Sequence, residues 1–140
     1  MLHDLKQRIA DDPAVKELLL EAIGSASPQK WEMAVYRYQQ DPQHALWGIE
    51  ENQSLIGCIG IACHSPDELV IRHIAVRAAN REHSYGSQLI DLLIQKYESQ
   101  VIAAETDQEA VGFYRKYGFQ IKSLGEKYPG VERFHCLFYV

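Results

Sequence analysis

At 140 residues the chain is long enough for one hydrophobic core, and a single domain over residues 1–140 is expected. Apolar residues make up 46% and charged residues 24%, the balance of an ordinary globular protein in water. The net charge of −5 argues against a nucleic-acid partner, and no apolar run approaches the roughly 20 residues that a membrane helix needs. The opening Met1–Lys6 lacks the basic start and apolar stretch of a signal peptide. Cys58, Cys63 and Cys136 all lie in apolar, strand-like runs, which reads as buried reduced thiols and a cytoplasmic location. Cys63-His64 extends into no zinc spacing and the six histidines are scattered, so no metal is expected.

Residues 1–11 fit either a short strand or a frayed segment. Asp12-Pro13 then reads as an N-cap with proline in the first turn, followed by the apolar face Val15, Leu18, Leu19, Ala22 and Ile23 and a stop at Gly24. Ser27-Pro28 repeats the start signal for a second helix, striped by Trp31, Val35 and Tyr38 and ended by Asp41-Pro42. Ala45–Glu50 and Leu55–Cys63 flank a polar turn, Glu51-Asn52-Gln53-Ser54, and read as a β-hairpin. Pro66-Asp67 leads into Glu68–Val76, a strand rich in β-branched residues. Residues 77–83 are polar, and Leu89, Ile90, Leu92, Leu93 and Tyr97 mark a helix from about Ser84 to Glu98. Val101–Ala104 reads as a short buried strand. Phe119–Leu124 and Arg133–Val140 read as two closing strands joined by a loop, Gly125–Glu132. The expected class is a mixed α/β fold, with a mostly antiparallel central sheet and helices on both faces.

The most informative segment is Glu105–Phe119. Thr106 and Glu109 have capping-box spacing, so each could satisfy a free backbone N–H at a helix start. Ala110, Phe113, Tyr114 and Tyr117 recur at helical spacing, and Gly118 stands where a helix ends in a left-handed residue. The pattern Asp-x-x-Ala-x-x-Phe-Tyr-x-Lys-x-Gly-Phe, from Asp107 to Phe119, resembles a signature of the GNAT N-acetyltransferase family. The same element order, ααββ-β-α-β-α-ββ, is that of the GNAT fold, with the first eleven residues fitting least well. The resemblance implies an enzyme that transfers an acyl group, taking acetyl-CoA or another short acyl-CoA as its cofactor and an amine as acceptor.

The turn after Glu68–Val76 carries the second resemblance. A strand, a tight turn and a helix N-terminus make an anion site, because free N–H groups and the helix dipole point at the ligand. In Arg81-Glu82-His83-Ser84-Tyr85-Gly86-Ser87, Arg81 and Gly86 match the family pattern Arg/Gln-x-x-Gly-x-Gly/Ala. Ser84 stands where the family has its first glycine. Serine can serve there if its φ is negative, and its hydroxyl could then cap the helix or donate to a phosphate. Arg72, Arg77 and Arg81 concentrate positive charge near this turn, which suits a polyanionic ligand and equally suits solvated arginines beside a strand.

By resemblance, backbone groups of Ile74 and Val76, with Ala75 between them, would pair with the pantetheine arm, and an N–H of this strand would polarise the thioester carbonyl. Tyr114 would be the general acid that protonates the leaving thiolate; the alternative is an ordinary residue of the helix's apolar face. Asp107 stands where many family members have Asn near the pantetheine, or it supports the helix start. Ala110 and Phe113 would line the same site; Phe113 and Phe119 also read as core. For the base, Glu68 is the leading carboxylate, with a surface charge as the alternative. His73 titrates near neutral pH but has opposite strand parity to Ile74 and Val76, so it is expected to face away from the cofactor. Glu105 is a weaker option. The competing reading is a catalytically weak acyl-CoA sensor or regulatory module with the same fold, favoured by Ser84 and the unclear base and opposed by Tyr114. Acceptor specificity is expected from the first two helices and the Gly125–Glu132 loop, and overall acidity suits a cationic amine. The apolar end, Arg133–Val140, is expected to form an exposed edge that pairs two copies into a homodimer.

Overall fold

The computed structural model describes residues 1–24, 27–81 and 83–140. The N-terminal segment resolves into a two-residue strand, β1 (His3–Asp4), and a 3₁₀ turn, Lys6–Arg8. Leu5 and Ile9 anchor it, one fully buried and the other nearly so. Arg8 holds the turn in place, donating to Asp12 at 2.8 Å and to Glu50 at 2.7 Å.

Helix α1 (Pro13–Ile23) starts as its sequence predicts: Asp12 Oδ1 accepts from the N–H of Ala14 at 3.0 Å. It ends at Gly24, whose φ of +69° closes the last turn onto the Leu20 carbonyl. Helix α2 (Pro28–Gln40) is capped by the Ser27 hydroxyl. The hairpin is β2 (His44–Glu51) and β3 (Ser54–Ser65), followed by β4 (Glu68–Val76), which coincides with the predicted strand. Helix α3 spans Tyr85–Tyr97.

From there the sequence reading needs correction. Strand β5 (Val101–Asp107) runs three residues further than expected, because its antiparallel pairing with β7 (Val131–Tyr139) continues to Asp107↔Arg133. Thr106 is therefore a buried strand residue opposite Phe134, and the Thr106/Glu109 capping box does not form. Asp107 takes over: its Oδ1 accepts from the N–H groups of Glu109 and Ala110 at 3.0 and 3.1 Å. Helix α4 (Val111–Tyr117) follows and stops at Gly118, φ +123°.

The Gly125–Glu132 segment is no loop. Strand β6 (Gln120–Tyr128) pairs with β7 through Gly125↔Arg133, Glu126↔Glu132 and Tyr128↔Val131, leaving a tight turn at Pro129-Gly130. Residues of this arm are exposed on both faces, so no apolar alternation announced the strands.

Among the described residues the strands form one seven-stranded sheet in the order β1-β2-β3-β4-β5-β7-β6. All pairings are antiparallel except β4 with β5. Strand β7 thus lies inside the sheet, and the dimer expected through its exposed edge loses its premise. The true edge on that side is β6, which carries Lys122, Glu126 and Lys127, charges that discourage edge-to-edge pairing.

Helices cover both faces. Val15, Leu18 and Leu19 of α1 and Ala34 and Tyr38 of α2 pack on Leu46, Leu55 and Cys58. Leu89, Ile90 and Leu93 of α3 and Tyr114 of α4 pack on Ile59, Ile61, Leu69, Ile71, Ile102 and Ala104. Strand β3 is covered on both sides, which is why it reads as a continuous apolar run. Cys58 and Cys136 are buried, Cys63 is half-buried, and all three thiols are free. Among the described residues no helix is long and apolar enough to cross a membrane.

Candidate active site

Strands β4 and β5 run parallel and hydrogen-bonded only from Glu68↔Val101 to Ile71↔Ala104. Beyond that point they part. Strand β4 stays with β3 as far as Val76↔Gly57, and β5 stays with β7 as far as Asp107↔Arg133. A wedge opens between Arg72–Val76 on one side and Glu105–Asp107 on the other. Every residue of Arg72–Val76 lines the resulting cleft, about 830 Å³ in volume, closed on one side by the end of α1 and on the other by α4.

A second hollow of about 520 Å³ continues this cleft around the N-terminus of α3, sharing Val76, Arg81, Gly86 and Phe113 with it. The chain reaches α3 through a 3₁₀ turn, Ala78–Asn80. Arg81 donates from Nε to the Val76 carbonyl at 3.1 Å, and its guanidinium is ion-paired with Glu21 of α1. Ser84 adopts φ +65°, the left-handed region that glycine enters freely, and its hydroxyl makes no capping bond. The negative φ expected of a serine at this position is therefore not found, nor is the helix cap: the backbone is the one glycine would take, held by a residue with a Cβ. Gly86 is small for a different reason. A Cβ there would stand 2.9 Å from Cε1 of Phe113, so the glycine lets that ring close over the start of α3. Tyr85 bonds Glu51 through its hydroxyl and ties the turn to the β2–β3 hairpin.

Most of the residues singled out in the sequence come together here. Ile74, Ala75, Val76, Arg81, Gly86, Asp107, Ala110, Phe113 and Tyr114 line the main cleft, and Ser84, Tyr85 and Ser87 line its continuation. Glu82 lies outside the described residues. His83 is exposed, its ring 6.3 Å from that of Tyr85, and lines neither hollow. Glu68 does not join them either. It pairs with Val101 at the closed end of the β4–β5 ladder, four residues from the opening, or roughly 13 Å along the strand. Arg77 turns away toward the hairpin, donating to the Ser54 hydroxyl at 2.8 Å.

Tyr114 is buried at the floor of the cleft between Phe113 and Phe119, each ring centroid 5.1 Å away. Burial pushes its phenol above the ordinary tyrosine range, and the Cys136 thiol adds to the effect, so the hydroxyl holds its proton at neutral pH. Glu105 is held below the usual carboxylate range by a hydrogen bond from Lys127 at 2.7 Å, with Arg133 3.6 Å away.

His73 keeps the expected parity, pointing to the α1/α2 face, where its Nδ1 lies 2.5 Å from the Tyr38 hydroxyl. It lines the cleft nonetheless, because β4 has no neighbour on its open side there. Burial pushes its pKa down to about 4, and the charges of Arg37 and Arg72 act in the same direction. This Tyr38–His73 pair, the Glu21–Arg81 pair and Arg133 were not found from the sequence. One signal was available: Gly60 sits directly across from His73 in an otherwise apolar strand, and a glycine there marks a close approach. The Tyr38 ring occupies the space a side chain at position 60 would need.

Fold and cleft together define an α/β domain with a split parallel strand pair leading to a helix N-terminus. Residues 42–121 match the acetyltransferase (GNAT) domain family. The structure is similar to that of an aminoglycoside 6′-N-acetyltransferase complexed with coenzyme A, with a TM-score of 0.76 at 13% identity over 99% of this chain and 96% of that one. It is similar to the ribosomal-protein-S18-alanine N-acetyltransferase from Escherichia coli, with a TM-score of 0.78 at 17% identity over 100% and 93%. A GNAT family acetyltransferase from Elizabethkingia anophelis with acetyl-CoA bound matches with a TM-score of 0.72 at 20% identity over 100% and 97%. The chain belongs to the GNAT acetyltransferase family.

Proposed function

We propose that this protein transfers an acetyl group from acetyl-CoA to an amine nitrogen by direct attack on the thioester. The carrying observation is the parting of β4 from β5, which leaves one edge of Arg72–Val76 outside the ladder along a cleft that runs from Tyr114 to the α3 turn. An unpaired strand edge suits an extended, amide-bearing chain such as pantetheine, and the hollow at the α3 N-terminus suits a diphosphate.

In this reading backbone groups of Ile74 and Val76 hold the pantetheine arm, and an N–H of the same strand polarises the thioester carbonyl. Arg81, Ser84, Tyr85, Gly86 and Ser87 surround the diphosphate, and Arg81 exchanges Glu21 for it. Asp107 acts on the protein itself, fixing the turn before α4, while Ala110 and Phe113 supply cleft wall. As the new N–C bond forms and the C–S bond breaks, Tyr114 gives its proton to the departing sulfur. His73, neutral at physiological pH and lining the cleft, replaces Glu68 as the group to receive the amine's proton, directly or through water.

The test has two parts. Acetyl-CoA at a hundredfold excess over its dissociation constant should stabilise the fold by about 2.7 kcal/mol, measured by calorimetry. Release of free thiol from acetyl-CoA should then depend on added amine, across a panel of amino acids, polyamines, aminoglycosides and peptides. A melting temperature unmoved by saturating acetyl-CoA would remove the proposal.

A further inference from the structure

A third hollow, about 360 Å³, lies between the end of α1 and α2. It meets the main cleft at Ile23 and His73, which line both. Lys30 and Arg37 of α2 line it, and Arg72 lines the main cleft beside His73. Among the described residues, the side chains of Lys30, Arg37 and Arg72 enter no ion pair.

The carboxylates of the main cleft are in a different condition. Glu21 is paired with Arg81, Glu105 with Lys127 and Arg133, and Asp107 is spent on backbone N–H groups. Glu109 stands with the α4 wall. In a chain of net charge −5, three cations without an ion-pair partner therefore flank the junction of the two hollows at His73, Lys30 and Arg37 from the third hollow and Arg72 from the main cleft. Their field is felt locally: Arg37 and Arg72 both help keep His73 unprotonated. The overall acidity that suggested a cationic amine is thus opposed by the local charge.

We infer that the acceptor is an amine that also carries a carboxylate, seated with the carboxylate among Lys30, Arg37 and Arg72 and the nitrogen beside His73. The inference rests on the acetyl-transfer reading for the amine, but the anion seat stands on its own geometry. A carboxylate there would pair charges that otherwise repel one another and disfavour a protonated His73. Its arrival would also lift the field that holds the imidazole unprotonated, making His73 a better proton acceptor once the correct substrate is in place.

Two measurements separate this inference from the reading it rests on. The first is turnover with matched sets of free amino acids, the corresponding amino-acid amides and the decarboxylated amines. The acids should exceed the amides and the amines by at least tenfold in kcat/KM for the best set, and the ratio should fall toward one in Arg37→Gln and Arg72→Gln. Both substitutions change exposed side chains, and their melting curves verify folding. The second uses N-acetylated amino acids and their amides as ligands that cannot react, followed by the imidazole resonances of His73. The acids should shift those resonances and the amides should not, with the shift lost in Arg37→Gln and Arg72→Gln. Binding of the acids without turnover of any amine would retain the anion seat and sink acetyl transfer. Turnover of neutral amines equal to that of acids, or equal perturbation of His73 by acids and amides, would overturn the inference.

Discussion

The same two strands make a core at one end and a cleft at the other. From Glu68 to Ile71 and Val101 to Ala104 they are laddered together, with Leu69 and Ile102 fully buried and Ile71 and Ala104 nearly so. From Arg72 and Glu105 onward the ladder is gone, and Arg72, His73, Glu105 and Asp107 join the apolar Ile74, Ala75 and Val76 along the cleft. The closed half supplies rigidity to the open half, since each strand stays paired on its outer side to the end.

The contrast is broken most severely in the closed half. Leu69→Ala leaves a cavity under fully enclosed packing and should cost about 2–5 kcal/mol, read from the denaturant midpoint. A loss below about 1 kcal/mol would mean that the closed half is looser than its burial indicates.

The next largest effect belongs to the open half and depends on pH. His73 titrates near 4 when folded and near 6.5 when unfolded, so the unfolded chain takes up the proton first as pH falls. Its stabilising contribution is complete above about pH 6.5 and is lost between there and pH 4, by at most about 3 kcal/mol. Comparing wild type with His73→Phe across this window isolates the contribution from that of the carboxylates. Parallel stability curves for the two proteins would show that His73 is not held neutral.

Tyr114→Phe keeps the ring between Phe113 and Phe119 and removes only the phenolic proton. Under the proposed chemistry kcat should fall about 100-fold, the low end for general acid catalysis, because a thiolate is already a fair leaving group. Affinity for acetyl-CoA, titrated directly, should stay within about twofold. Full kcat with chemistry rate-limiting would make Tyr114 a packing residue.

The smallest effect is a gain. Ser84→Gly relieves a left-handed backbone held by a residue with a Cβ and should raise stability by about 1 kcal/mol, with equal or tighter binding of acetyl-CoA. Severalfold weaker binding would give the serine hydroxyl a role on the ligand.

Elements with an unambiguous local signal were legible in the sequence. Asp12-Pro13 and Ser27-Pro28 start helices because cap and proline agree, and Glu68–Val76 is a strand between a turn and an arginine. Where local and long-range demands compete, the sequence misleads. Thr106 and Glu109 have the spacing of a capping box, but Thr106 belongs to a ladder with β7 that no local pattern reveals. The outer part of the β6–β7 hairpin, Gly125–Glu132, has no buried face, so its period carries no signal. The site divides along the same line. Tyr114 and the α3 turn follow from contiguous motifs, whereas Glu68 was favoured by its strand alone. Which end of that strand opens depends on where β5 departs, a fact of pairing between segments about thirty residues apart. The seat formed by Lys30, Arg37 and Arg72 joins two elements far apart in the chain and could not be read from either.

The contact between Gly60 and Tyr38 constrains how this sequence can drift. Any side chain at position 60 would displace the Tyr38 ring, and with it the hydroxyl beside His73. A descendant could lose Tyr38 to a smaller residue and survive with a loosened imidazole, and only then could position 60 accept a methyl group. The reverse order collides at its first step. Substitution at 60 is therefore contingent on history at 38, a one-way gate between two residues that no sequence neighbourhood connects.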